Sequence, residues 1–164
     1  AELQTLDRPP HPDDLVRLPY LSAVCTEALR LYPVVAAISR QLRQPLTLCG
    51  YALPAGVAVG AAIPLAHCNP ERYPDPLRFR PERFLEHTYT PFEYLPFGGG
   101  ARRCIGAAFA VYELKIVLGS ILAQHRFELA DDIPAIPVPR TFTLGPKGGV
   151  PLVYCGPTDG CAAR

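Results

Sequence analysis

Phe97-Gly98-Gly99-Gly100-Ala101-Arg102-Arg103-Cys104-Ile105-Gly106 is the stretch on which the reading of this chain turns. Three consecutive glycines let a backbone adopt positive φ and approach a flat ligand closely. Two arginines follow, then a cysteine, then an apolar run from Ile105 to Gln124. A cysteine delivered to the start of a helix beside arginine is a candidate metal-ligating thiolate. The loop does not read as a phosphate cradle. G-x-x-x-x-G-K-[ST] is absent, and G-x-G-x-x-G fails because Arg103 stands at its last glycine. A buried structural thiol in a turn is the other reading that these ten residues leave open.

Working outward, the run Ile105–Gln124 predicts a helix apolar on nearly all faces, and hence a buried one. Upstream, Leu18–Leu31 predicts a helix: Pro19 suits a first helical position, Leu21, Val24, Ala28 and Leu31 recur at spacings of three and four, and Pro33 ends it. Residues 40–63 predict short strands, with turns at Gly50-Tyr51 and Pro54-Ala55-Gly56. Between Pro64 and Pro96 prolines recur too densely for a long helix or a central strand, so a packed or functional meander is expected. Short strands are expected at 126–129, 140–144 and 150–155, the last two joined by a turn at Gly145-Pro146-Lys147-Gly148-Gly149. Residues 1–14 read as a linker and 156–164 as a frayed tail.

The 164 residues predict one domain, with 49% hydrophobic and 19% charged residues, which excludes a polar disordered chain. Its 13 glycines and 20 prolines predict a loop-rich protein. A chain of this size is expected to bury about two thirds of its unfolded surface. A net charge of +1 argues against a nucleic-acid partner or a basic membrane-binding patch. All but two of the 16 basic residues are arginine, which suits bidentate pairing with carboxylates. None of the six cysteines is spaced C-x-x-C or C-x-x-C-H, so neither a zinc ribbon nor covalent haem attachment is expected. No secretory signal and no uninterrupted apolar run of 18 residues is present, so reduced thiols, a cytoplasmic location and no membrane segment are expected. The sequence has no Met, which together with the motifs reads as part of a longer chain.

The pattern F-x-x-G-x-R-x-C-x-G, met at Phe97, Gly100, Arg102, Cys104 and Gly106, resembles the haem-binding loop of the cytochrome P450 family. Glu27-Ala28-Leu29-Arg30 and Pro81-Glu82-Arg83-Phe84 resemble that family's E-x-x-R helix and P-E-R-F meander, in the right order and at matching distances from Cys104. The resemblance runs from about residue 15 to 155 and implies the C-terminal portion of the P450 fold, mixed and mainly α with small β-sheets. It implies haem b as cofactor and Cys104 as axial ligand of its iron. Phe97, Gly98, Gly100, Arg102 and Gly106 would form the cofactor loop, with Arg102 paired to one haem propionate and Arg40 to the other. Glu27, Arg30 and Arg83 would form a buried structural charge network. Val34, Val35, Ala36 and Ala37 resemble a segment facing the haem, with Val35, Ala36 and Ala37 as substrate-pocket candidates.

The activity implied is a monooxygenase that inserts one atom of O2 into an organic, apolar substrate. Electrons would come from a separate partner of ferredoxin or flavoprotein type docking near Arg72, Arg78 and Arg103. No A-G-x-x-T-like oxygen-activation segment occurs in these residues, so a non-catalytic haem-binding module and an inactive truncated fragment stand as alternatives. The family often has Arg and Asp where this chain has Cys68 and Asn69. His67 before them reads as a surface or hydrogen-bonded histidine. His11, His87 and His125 stand in no motif.

Overall fold

Helix α2 (Pro19–Leu31) is the piece around which the other elements gather. Its first residue is proline and its cap, Leu18, offers no side-chain acceptor. Glu2, in a 3₁₀ turn over Glu2–Thr5, supplies one from a distance: its carboxylate accepts the N–H groups of Tyr20 (3.0 Å) and Leu21 (2.9 Å). A negative charge on otherwise orphaned amides at a helix start is favourable. The computed structural model describes residues 2–5 and 10–158. Over that part of 1–14 the chain is no linker. Besides the Glu2 turn it holds helix α1 (Pro12–Leu15), whose Leu15 is fully buried. Leu15, Leu21 and Cys25 form a core cluster, joined by Leu3, Leu18, Leu114 and Leu118.

Four antiparallel strand pairs follow among the described residues. Strands β1 (Ala37–Gln41) and β4 (Ala58–Ala62) pair with Ile38 opposite Ala61 and Arg40 opposite Val59. Between them, β2 (Leu46–Leu48) and β3 (Tyr51–Leu53) make a hairpin. Its turn is Cys49-Gly50, one residue earlier than expected, with φ of 50° and 84°. Positive φ at both central residues is the hairpin turn whose twist matches the strands. The proline-dense stretch holds only two short helices, α3 (Ile63–His67) and α4 (Arg83–Glu86).

Helix α5 (Ala107–Gln124) starts two residues later than predicted, leaving Ile105 outside it and fully exposed. The expectation of a buried helix is corrected: only Ala107 and Gly119 are buried along it, while Phe109, Val117 and Ile121 are exposed. An all-round apolar composition calls for cover on every side, and here α5 packs against α1, α2, the Glu2 turn and the strand that follows it, which leaves Phe109, Val117 and Ile121 uncovered. Gly119 makes that approach possible, since a Cβ there would lie 2.8 Å from Leu15 Cδ2 and 3.0 Å from Leu21 Cδ2. By length and composition alone α5 could cross a bilayer. Its Lys115 is tied to α1 instead, donating from Nζ to the Val16 carbonyl at 3.4 Å.

The last part departs from expectation in its pairing. Residues 140–144 are not one strand but the tip of a hairpin between β6 (Pro137–Arg140) and β7 (Thr143–Pro146). Thr141 sits at φ 60°, and the hydroxyls of Thr141 and Thr143 both donate to the Arg140 carbonyl, closing the turn. Gly145 and Pro146 belong to β7, so the predicted turn shrinks to Lys147–Gly149. Strand β8 (Leu152–Pro157) pairs with β5 (His125–Leu129), not with β7. The tail therefore stays ordered through Thr158, whose N–H donates to the Gln124 carbonyl at 3.0 Å; residues 159–164 lie outside the described residues.

The accessible surface is 11715 Å². A compact monomer of 17.9 kDa exposes roughly 8,000 Å². The chain thus buries nearer half than two thirds of its unfolded surface, with large apolar side chains exposed on α5, the strand pairs and the meander alike.

Candidate haem-ligand loop and its buried support

The loop begins at Leu95, whose carbonyl accepts Gly98 N–H at 2.9 Å. The Phe97 carbonyl accepts Cys104 N–H at 3.0 Å, and the Gly100 carbonyl accepts Arg103 N–H at 3.1 Å. These bonds fold the ten residues into a closed bend ending at Gly106, the cap residue of α5. Gly98 and Gly100 have φ of 71° and 69°, a region that residues with a Cβ rarely enter. Gly98 is also buried, and a Cβ on it would touch Ile38 Cδ1 of β1 at 3.4 Å. Ile38 and Arg40 lie two apart on that strand, so they share the face turned to the loop.

Cys104 is exposed, and so are Arg102, Arg103 and Arg40. The reading of a buried structural thiol therefore does not hold. Phe97 is half-buried, and a Cβ on Gly106 would lie 3.8 Å from Cys104 Sγ. Among the described residues neither Arg40 nor Arg102 has an ion-pair partner; Arg40 donates only to its neighbour's carbonyl, Ser39, at 2.7 Å. Val35 and Ala36 are half-buried and Ala37, the first residue of β1, is exposed. The neighbouring Val34 carbonyl accepts Leu144 N–H and the Ala36 carbonyl accepts Ile63 N–H. Of the arginines expected to face a partner, Arg72, Arg78 and Arg103 are all exposed, and Arg72 is paired with Glu93 at 3.3 Å. No disulfide forms among the described residues.

Beneath the loop lies a buried ion network. Arg30 meets Glu27 in two parallel bonds, Nε to Oε2 at 2.7 Å and Nη2 to Oε1 at 2.9 Å. Spacing of three along α2 puts them on one face. Arg83 of α4 adds a third bond, Nε to Glu27 Oε1 at 3.1 Å, and the backbone N–H of Arg80 a fourth at 2.8 Å. All three side chains are buried. Burial pushes the Glu27 carboxyl up, but the bonds from Arg30, Arg80 and Arg83 together outweigh it and hold its pKa below the usual value. The remaining guanidinium hydrogens go to carbonyls: Arg30 to His67 at 2.8 Å, Arg83 to Pro74 at 3.0 Å. The network thus pins α2, α3, α4 and the meander to one another.

Two further residues support the network: Tyr73, which no motif marks, and His67, whose reading as a hydrogen-bonded histidine holds while the surface reading does not. Tyr73 is fully buried with Arg30 stacked over its ring at 5.0 Å, and burial raises its pKa. His67 is fully buried as well, hydrogen-bonded at both ring nitrogens. For Tyr73 the aromatic-rich meander is the available sequence signal.

The sequence profile of the family described as Cytochrome P450 matches residues 2–153. A putative cytochrome P450 135B1 of Mycobacterium tuberculosis is 50% identical over 111 residues, 68% of this chain and 23% of that protein. The taurochenodeoxycholic 6 alpha-hydroxylase of Sus scrofa is 41% identical over 146 residues, 85% of this chain and 28% of that protein. The solved structure of retinoic acid bound cyanobacterial CYP120A1 superimposes with a TM-score of 0.77 at 36% identity, covering 87% of this chain and 34% of that one. The chain therefore spans about a quarter to a third of the length of these relatives.

Proteins of that family carry haem b and are haem-thiolate monooxygenases. The donor set here suits such a cofactor. Among the described residues no group of three His, Cys, Asp or Glu side chains could hold a metal ion unaided. One exposed thiol can serve an iron only if a macrocycle supplies the other ligands. The profile match over nearly the whole chain, with the E-x-x-R helix, the P-E-R-F meander and the Cys104 loop in their places, makes this chain a member of the cytochrome P450 family.

Proposed function

We propose that this chain is the haem-ligating part, a partial domain, of a monooxygenase acting on an organic, apolar substrate, with Cys104 as axial ligand of the haem iron. The observation that carries the reading is the exposed Cys104 thiol at the end of a glycine bend seated against β1. Exposed apolar side chains beside it, Ile105 and Phe109, offer surface for a flat apolar macrocycle. When bound, the haem supplies reductive activation of O2 and delivery of one oxygen atom.

The chain's own residues do the rest. Gly98 and Gly100 let the backbone turn without side chains in the way of the ring. The Phe97 carbonyl holds the Cys104 amide, which fixes where the sulfur is presented. Phe97 shields that sulfur. Arg102 and Arg40, with no carboxylate partner among the described residues, pair with the two propionates. Val35, Ala36 and Ala37 offer small apolar surface to a substrate. Electrons come from a separate ferredoxin- or flavoprotein-type partner, with Arg78 and Arg103 presenting exposed positive charge for docking.

The test is to load the purified chain with haem, reduce it, add carbon monoxide and record the difference spectrum beside that of Cys104→Ala. A red-shifted, thiolate-type Soret band in the native chain, lost in the variant, is the expected result. The same band in Cys104→Ala overturns the ligand assignment.

A further inference from the structure

A continuous series of hydrogen bonds joins the buried ion network to the Cys104 loop through one histidine. His67 Nε2 lies 2.8 Å from the backbone nitrogen of Leu95. An amide N–H can only donate, so Nε2 accepts and carries no proton. The ring proton is then on Nδ1, donating to the Arg30 carbonyl at 2.9 Å. Arg30 answers with its own Nη1, which donates to the His67 carbonyl. Beyond Leu95 the series goes on: the Leu95 carbonyl takes Gly98 N–H, and the Phe97 carbonyl takes Cys104 N–H.

We propose that His67 is a positioning residue for the Cys104 loop, holding its entry through Leu95 as the neutral Nδ1–H tautomer and releasing it when Nε2 takes up a proton. A protonated ring would set N–H against N–H at Leu95, leaving two buried donors facing each other. The groups around the ring are Arg30 from α2, Tyr73 from the meander, with its ring centre 6.2 Å away, and Tyr94 stacked at 5.7 Å. Behind them lie Glu27, bound to Arg30, and Glu93, whose carbonyl accepts the Tyr73 hydroxyl. Burial raises both tyrosines, and the arginine bonds keep Glu27 low, so none of these changes charge between pH 5 and 7. Glu93 is held low by its bonds to Thr90 and also stays charged there. Burial lowers the His67 pKa below that of a free histidine, outweighing the bond to the Arg30 carbonyl that raises it, and the Arg30 cation adds a smaller lowering, so the hold is intact at neutral pH and fails on acidification.

The order of the loop does not depend on haem; only its consequence for ligation rests on the function proposed above. The test is amide hydrogen exchange at Leu95, Gly98 and Cys104, read by NMR on the whole chain in steps from pH 7.5 to pH 4.5, corrected for intrinsic exchange, with the His67 ring signals followed in the same samples. In the native chain, protection of these amides is expected to fall about five- to tenfold as the His67 ring takes up its proton, the scale of one hydrogen bond. His67→Gln places an oxygen where Nε2 was and cannot titrate, so its protection should match at every step. His67→Asn reaches only the Nδ1 position and should be unprotected throughout. Protection in the native chain that is unchanged by pH, or a fall shared equally by His67→Gln, overturns the proposal. Should His67→Asn fail to fold, the native and Gln pair still decides. In the haem-loaded chain the thiolate-type spectrum should fade over the same interval in the native protein and persist in His67→Gln. If the amides respond as stated while no thiolate spectrum forms at any pH, the loop hold stands and the Cys104 assignment falls.

Discussion

Arg30→Ala is the sharpest test of how the molecule is held together. The substitution removes both bonds to Glu27, at 2.7 and 2.9 Å, the bond to the His67 carbonyl at 2.8 Å and the contact over Tyr73. It leaves a fully buried carboxylate with Arg83 and one backbone amide as its partners among the described residues. Breaking a buried pair on one side costs about 3–5 kcal/mol, because the remaining charge keeps its desolvation penalty. With a urea slope of about 2 kcal/mol per molar, the unfolding midpoint should drop by roughly 1.5–2.5 M. Arg80→Ala is the control. Arg80 also pairs with a carboxylate, Glu86, at 2.6 Å, but the two side chains are 37% and 55% exposed. Its backbone bond to Glu27 survives the change. The cost should stay under about 1 kcal/mol, near 0.5 M or less. The two pairs are nearly equally short, at 2.7 and 2.6 Å, so what separates the outcomes is burial together with the further contacts that Arg30 makes. If Arg30→Ala lowers the midpoint by no more than Arg80→Ala does, the reasoning about the network is wrong.

Two further outcomes follow from the same contacts. Gly119→Ala gains about 1 kcal/mol of helix propensity but drives a methyl against Leu15 and Leu21, and overpacking costs about 1–3 kcal/mol. The melting temperature should therefore fall by a few degrees; a rise would show that the leucines yield freely. On the pH axis, Glu27 has a native pKa below its unfolded value of about 4.3, so its share of stability is present above that pH and is lost as pH falls through the native value. His67, also lowered, starts earlier: the unfolded chain takes up its proton near pH 6.5 while the native chain does not, and stability falls from there toward the native value. Urea midpoints from pH 8 to pH 3 should show both declines, and His67→Gln should abolish only the first. A flat profile down to pH 4.5 in the native chain would contradict the burial of a neutral His67.

The sequence by itself determined the elements whose signals are local. Pro19 and the spacing of Leu21, Val24, Ala28 and Leu31 were enough for α2, and Glu27 and Arg30 fall on one face of it by helical geometry. The glycine bend before Cys104 was legible because positive φ demands residues of that kind. Residue patterns by themselves join no distant residues: the Glu27–Arg83 pairing was expected only through the family resemblance, and the His67–Leu95 bond not at all. Arg83 reaches Glu27 across 56 positions, and His67 reaches Leu95 across 28; no periodicity encodes such pairs. The hairpin at Arg140–Thr143 hid behind an alternating strand pattern because two threonine hydroxyls, not a glycine, close its turn. Helix α5 shows the boundary most plainly. Its composition says that it wants cover on all sides, but what covers an apolar face is set by the other elements brought to it, and here those leave Phe109, Val117 and Ile121 uncovered.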